Sequence, residues 1–278
     1  MIRAAVLGAD VSKSRSPAIH NAAFRALGLD GEYVALSVDA GGFPTLVEKL
    51  REQGYRYLNV TIPHKDEAAH LADERSPEVR ASGAANTLLF PTPEGPVRAE
   101  NTDGVGLIAA LRDLEMQVGG KTIVMVGAGG AAAGAAEALT RAGAQLRIVA
   151  RRLDAARALR SRLVAPQQEW VTVAAWTGDA LAEALTGADA LVSAVPAAAW
   201  AVSEANAPGG LAALSPEAVV LEMAYGTETP LAVAVRGRAR SYADGLAMLV
   251  HQAAQAIELA LGKKPPLPPL FEAVRRAP

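Results

Sequence analysis

The run GAGGAAA at 127–133 constrains this chain most. The β-like segment TIVMV precedes it, and an Ala-rich helical segment ending near Arg141 follows. Strand, tight glycine turn and helix in that order place a dinucleotide pyrophosphate on the free amides of a helix N-terminus. The unit sits mid-chain, so the upstream stretch is long enough to form a domain of its own. Gly127 allows the tight turn, Gly129 admits the pyrophosphate, and Ala132 is small enough for close helix–strand packing. Gly127, Gly129, Gly130 and Ala131 are therefore the candidate cofactor-binding residues of the turn. The next strand, QLRIVA, ends in Ala150-Arg151-Arg152, where an NAD site carries an acid for the ribose 2′-OH. Two guanidinium groups attract a 2′-phosphate instead, which favours NADP. Solvated arginines beside the following helix are the plainer alternative.

Composition removes several function classes. Hydrophobic residues make up 51% of the 278 and charged residues 20%, enough apolar content to build cores. A net charge of −2 gives no basic footprint for nucleic acid and no polybasic membrane anchor. With no cysteine, disulfides, thiolate catalysis and thiolate metal sites are excluded. His20, His64, His70 and His251 lack metal-ligand spacing, so no metal is expected. No apolar run reaches membrane-spanning length, and MIRAAVLGAD reads as a first strand rather than a leader, so a cytoplasmic location is expected.

The element pattern predicts an α/β protein. Upstream, strands are expected at Ile2–Leu7, Tyr33–Val38 and Tyr57–Ile62, alternating with helices at Ser16–Gly28, Phe43–Gln53 and His64–Ala72. Asn86–Phe90 and Val97–Asn101 read as a hairpin around TPEG. This alternation predicts a mainly parallel sheet. Ser16 reads as the N-cap of its helix, with Pro17 at the first helical position. A helix over about 103–114 leads into the second unit. There, strands at 122–127, 145–150, 170–173, 189–193 and 219–222 and helices at 130–142 and 153–164 predict a doubly wound, Rossmann-type sheet. Residues 197–218 read as a loop. A long helix over 244–262 and a short one over 269–275 close the chain.

Three upstream stretches place polar residues at element ends. In SKSRSP, Ser14 and Ser16 precede a helix N-terminus, where hydroxyls, free amides and the positive dipole end suit a carboxylate. Read alone, Ser16 is a helix cap. In NVTIPHK, Asn59 and Thr61 share a strand face and Lys65 lies one short turn beyond Pro63, although a lone lysine is usually a surface charge. In NTDGVG, Asp103 stands at a strand-to-helix junction, where a helix cap is the plainer reading. A lysine held by an aspartate can pass a proton to or from a bound ligand. Either member can carry the proton; Lys65 is favoured. On the long helix His251, Gln255 and Glu258 share a polar face, with Gln252 at its margin.

Taken together, S-x-S-P, NVT-x-P-x-K, GAANT at 83–87, NTD-x-x-G, GAGGA and DGLAMLVHQAA at 244–254 resemble the shikimate dehydrogenase family in order and spacing, over nearly the whole chain. The resemblance implies reversible NADPH-dependent reduction of 3-dehydroshikimate to shikimate. It implies catalytic roles for Lys65 and Asp103, and carboxylate binding by Ser14 and Ser16 with help from Thr61. Asn86 and Gln252 would contact ring hydroxyls, Tyr225 would line the cleft, and Gly245 and Met248 would touch the nicotinamide end. It also implies a discontinuous substrate domain over 1–103 and 243–278, an NADP-binding domain over 104–242, and a monomer or homodimer. The chain departs from the family pattern at Lys13 (usually His), Ala150-Arg151-Arg152 (usually Asn-Arg-Thr), SAVP at 193–196 (usually Asn-Ala-Thr) and Glu222 (usually Asp). Two alternatives remain at this level: a quinate/shikimate dehydrogenase of broader specificity, and a non-catalytic NADPH-binding paralogue.

Overall fold

A computed structural model describes residues 1–92, 94–201, 208–226 and 228–277. The chain divides into two compact units, Met1–Gly106 with Leu249–Pro278, and Leu107–Met248.

The first unit is built on β1 (Ile2–Gly8), β2 (Gly31–Ser37), β3 (Tyr55–Val60), β4 (Glu74–Arg75), β5 (Thr87–Leu89) and β6 (Arg98–Glu100), in the order β2-β1-β3-β5-β6-β4. Pairings of β1 with β2 and β3, and of β4 with β6, are parallel. The expected hairpin forms β5 and β6 and makes the β3–β5 and β5–β6 pairings antiparallel, so the sheet is mixed while its other pairings are parallel, as expected. On one face Leu7, Leu58, Leu88 and Phe90 pack with Phe43, Val47 and Leu50 of the helix Phe43–Glu52.

The helix after SKSRSP runs Ser16–Ala26, and its N-cap is Arg15, not Ser16. Ser16 already has helical backbone, and its N–H donates to Ser14 Oγ at 3.3 Å. The side chain that satisfies an orphan amide there is thus Ser14, two residues earlier than capping preference alone suggests.

The second unit carries β7 (Thr122–Val126), β8 (Gln145–Ala150), β9 (Val171–Ala175), β10 (Ala190–Ser193), β11 (Val219–Glu222) and β12 (Ser241–Ala243). Their order is β12-β11-β10-β7-β8-β9, and every pairing is parallel. This is the doubly wound order, with its reversal between β7 and β10. Both faces are buried, as a parallel sheet requires. Ile123 and Met125 pack on one side with Leu139, Leu146 and Ile148. Val124 and Val126 pack on the other with Trp176, Leu181 and Leu191.

Several elements differ from expectation. The helix Gly178–Leu185, capped by Thr177 through the Ala180 N–H, was not anticipated. Nor was Pro230–Val235, capped by Thr229. The stretch read as a loop contains the helical turns Ala198–Ala201 and Pro208–Leu211; residues 202–207 lie outside the described residues. The last two helices run Leu246–Leu261 and Leu267–Arg276.

Candidate active site

Lys65 begins the helix Lys65–Leu71 and Asp103 begins the helix Asp103–Asp113. The two are 8% and 6% exposed, and Lys65 Nζ donates to Asp103 Oδ2 at 2.5 Å. Neither residue acts as a solvated surface charge. The Asp103 N–H donates to Asn101 Oδ1, and the Asp103 carboxylate is taken by Lys65 and Asn86. Removing one partner of such a buried pair typically costs about 3–5 kcal/mol, because the other charge is left uncompensated.

Asn86 joins the pair to the long helix. Its Nδ2 lies within hydrogen-bond reach of Asp103 Oδ1 (2.9 Å), Thr102 Oγ1 (2.9 Å) and Gln252 Oε1 (3.2 Å). Thr102 Oγ1 also donates to Gln252 Oε1 at 3.2 Å. Lys65, Asn86, Asp103 and Gln252 therefore form one buried polar cluster within the first unit. Thr102 belongs to it and was not among the residues singled out from sequence.

Thr61 lies just past the end of β3, half-buried, so the strand face it was expected to share with Asn59 stops at Val60. The Thr61 N–H donates to the Leu7 carbonyl and the Ala9 N–H to the Ile62 carbonyl, which fastens the start of the serine-bearing loop to the lysine-bearing segment at the carboxyl ends of β1 and β3. Ser14 is half-buried and Ser16 buried.

In the second unit Gly127 follows β7 with φ +123°, and a Cβ there would sit 2.9 Å from the Ala194 carbonyl oxygen. Glycine is thus required where the turn meets the loop after β10, at the reversal of strand order. Gly129 caps the helix Gly130–Arg141, and space beside its Cα is open. The Ala133 N–H makes the first helical bond, to Gly129, leaving the amides of Gly130, Ala131 and Ala132 for an external acceptor. Arg151 and Arg152 follow β8 and are both exposed. Arg152 occupies the N-cap position of the helix Leu153–Arg162, but its side chain makes no capping bond. These free amides and cations fit the pyrophosphate and 2′-phosphate of NADP.

Gly245 and Met248 have structural work independent of any ligand. A Cβ on Gly245 would lie 2.1 Å from the Met223 carbonyl oxygen, so the backbones touch there. Met248 is buried in the core of the second unit. Tyr225 is half-buried beside Gly226. Glu222 is buried and accepts from Thr229 Oγ1 and from the Tyr242 hydroxyl at 2.9 Å. Burial pushes the Tyr242 phenol up to about 12, so it stays a donor. Ser193 of SAVP accepts from Trp200 Nε1 at 2.9 Å. No group of three or more His, Asp or Glu suited to a metal occurs among the described residues.

Sequence comparison decides the family. The shikimate dehydrogenase substrate binding domain profile matches residues 6–88, and a putative NAD(P)-binding profile matches residues 114–207. The chain is 38% identical to a shikimate dehydrogenase (NADP(+)) of Methylobacillus flagellatus, covering 100% of both. The chain belongs to the shikimate dehydrogenase family. A solved shikimate 5-dehydrogenase of Thermus thermophilus, in complex with NADP(H) and shikimate, superposes with a TM-score of 0.86 at 30% identity over 100% of both chains. A 5-ketofructose reductase of Gluconobacter superposes at 0.82 with 25% identity, over 99% of this chain and 98% of that one. Shikimate dehydrogenase architecture thus spans the full chain: an α/β substrate domain and a Rossmann-type NAD(P) domain.

Proposed function

We propose that this chain catalyses the reversible NADPH-dependent reduction of 3-dehydroshikimate to shikimate. The buried Lys65–Asp103 contact carries the reading, supported by the full-length similarity to NADP-dependent shikimate dehydrogenases. Bound NADPH supplies the hydride. Lys65 supplies the proton: its ammonium faces the alkoxide that develops at the reduced carbon and neutralises it by transfer. In shikimate oxidation the same amine accepts the proton. Asp103 holds the ammonium in place and compensates its charge, so Lys65 is positioned before the ligand arrives. Asn86 and Gln252 hold ring hydroxyls, and Ser14, Ser16 and Thr61 hold the carboxylate. Tyr225 lines the substrate side. Gly127, Gly129, Gly130 and Ala131 cradle the pyrophosphate, Arg151 and Arg152 hold the 2′-phosphate, and Gly245 and Met248 border the nicotinamide.

The substrate domain corresponds to Met1–Gly106 with Leu249–Pro278 and the NADP domain to Leu107–Met248, a few residues from the expected 1–103 with 243–278 and 104–242. The enzyme works in the cytoplasm as a monomer or homodimer; no helix among the described residues is long and apolar enough to cross a membrane.

The test is to follow NADPH formation with shikimate and with quinate, each with NADP and NAD, and NADPH consumption with 5-ketofructose. Shikimate with NADP should be fastest. Faster quinate or 5-ketofructose turnover would reassign the substrate, and NADP binding without any turnover would make the chain a non-catalytic NADPH-binding paralogue.

A further inference from the structure

The polar cluster does not end at Asn86. On the side away from Lys65 it continues through three buried residues on different strands. The Tyr33 hydroxyl donates to Asn59 Oδ1 at 2.7 Å, Asn59 Nδ2 donates to Thr87 Oγ1 at 3.0 Å, and Thr87 Oγ1 donates to Asn86 Oδ1 at 3.0 Å. Strand register brings them together. Thr87 of β5 is the direct cross-strand partner of Asn59 of β3, while Tyr33 of β2 and Tyr57 of β3 both lie in register with Ala4 of β1 between them.

The sheet does not require these groups. Apolar side chains would fill strand interiors without the cost of burying polar atoms. Yet every donor here has an acceptor, and the sense of each bond is fixed. Asn59 Nδ2 also donates to the Asn86 backbone carbonyl at 3.3 Å, so a flipped amide would set two oxygens against each other. Asn86 Oδ1 accepts from the Thr102 N–H at 2.9 Å, which directs its NH2 group towards Asp103 and Gln252. Tyr33 stands at the head of the chain with its ring stacked on His20, centroids 3.9 Å apart. Burial, with the neighbouring Tyr57, raises the Tyr33 phenol well above its usual range, so it remains a donor. All hydrogens therefore point one way, from Tyr33 to the Asp103 carboxylate. Aligned bonds of this kind polarise one another in a low-dielectric interior.

We infer that Tyr33, Asn59 and Thr87 are positioning residues of the reaction: through their aligned hydrogen bonds they hold the Asn86 amide so that it donates to Asp103 beside Lys65. The inference rests on the proposed shikimate reaction, and none of the three is required to touch the substrate.

The experiment compares Thr87→Val, which keeps the shape and removes the hydroxyl, with Thr87→Ser, which keeps the hydroxyl, and with Tyr33→Phe. Thr87→Val should lower kcat for shikimate oxidation about five- to tenfold, more than it changes KM, and Tyr33→Phe about threefold. Thr87→Ser should stay within about twofold, and NADP affinity should not change in any of them. Side-chain amide exchange of Asn86, read by NMR in the ligand-free protein, should quicken in Thr87→Val and Tyr33→Phe but not in Thr87→Ser. That readout decides the inference even if the parent chain fails to oxidise shikimate, which alone would overturn the reaction assignment. Equal kcat and equal exchange in the Val and Ser variants overturns it, as does a lowered melting temperature with unchanged kinetics and exchange. If Thr87→Val does not fold, Tyr33→Phe against the parent decides the same question.

Discussion

Lys65 and Asp103 are almost fully buried in the first unit, whereas Arg151 and Arg152 are exposed in the second, beside helix-terminal backbone amides. One unit holds its chemistry in side chains locked by other side chains. The other presents main-chain donors and surface cations. A proton-transfer pair gains from being fixed before the ligand binds, since nothing then reorganises as charge develops. A phosphate cradle made of backbone depends on turn geometry and tolerates exchange of side chains around it. The departures from the family pattern at Ala150-Arg151-Arg152, SAVP and Glu222 all lie in the second unit, and only Lys13 lies in the first.

The contrast is tested hardest at Lys65 and Asp103. General acid–base groups supply about 10²–10⁴-fold, so Lys65→Ala and Asp103→Ala should each lose turnover on that scale. If the two act as a unit, the double variant should be no worse than either single one. NADP affinity, measured by titration, should survive in all three. Near-native turnover in Lys65→Ala would remove it from the mechanism, and simple multiplication of losses would separate the pair.

The second unit should show the opposite behaviour. Replacing both Arg151 and Arg152 with Ala should weaken NADP relative to NAD by about 1.5–3 kcal/mol, while kcat at saturating cofactor holds. An unchanged NADP/NAD preference would leave these arginines without a role in phosphate binding.

The smallest effect concerns acid. All four histidines lie in the first unit, and His20 is fully buried with its Nδ1 2.6 Å from the Tyr57 hydroxyl. Burial lowers its pKa from 6.5 to about 3. Between these values the unfolded chain binds the proton and the folded chain does not. Stability is therefore complete above pH 6.5 and is lost as pH falls towards 3, by at most ~1.4 kcal/mol per pH unit from this group. Denaturant melts of the parent and His20→Gln should show the shallower acid decline in the variant. Trp170, Trp176 and Trp200 all lie in the second unit, so far-ultraviolet dichroism should fall before tryptophan emission changes. Identical slopes in the two proteins would exclude His20 as the source.

Much of this was legible in the residues. Short continuous apolar runs alternating with helical stretches gave the strands of the second unit, and the glycine turn located its strand-order reversal. The two- and three-residue strands β4 and β12 were not legible, because pairing with a neighbour rather than propensity holds so short a segment extended. The helix Gly178–Leu185 did carry a signal, Thr177 ahead of an acid-bearing first turn, that the apolar run around it obscured. In the site, Lys65 and Asp103 stood out through motif and chemistry. Tyr33 and Thr87 did not, because tyrosine and threonine inside strands look like ordinary β-formers. Only the register that sets Thr87 opposite Asn59 shows what they join.

Gln252 lies 166 residues after Asn86, its partner in the cluster. A ribosome adding about 5–20 residues per second needs roughly 10–30 s to cover that distance. For most of that interval the emerging chain already contains Lys65 and Asp103 yet lacks the glutamine that completes their surroundings, and the start of the helix Ser16–Ala26 lacks Val274, whose carbonyl accepts from Arg15. The nascent first unit thus waits without its second segment, Leu249–Pro278, while the second unit is synthesised in full. Truncations before Gln252 that spare Lys65 and Asp103 should still yield an inactive product, and the stretch after the second unit acts as the clasp that closes the first.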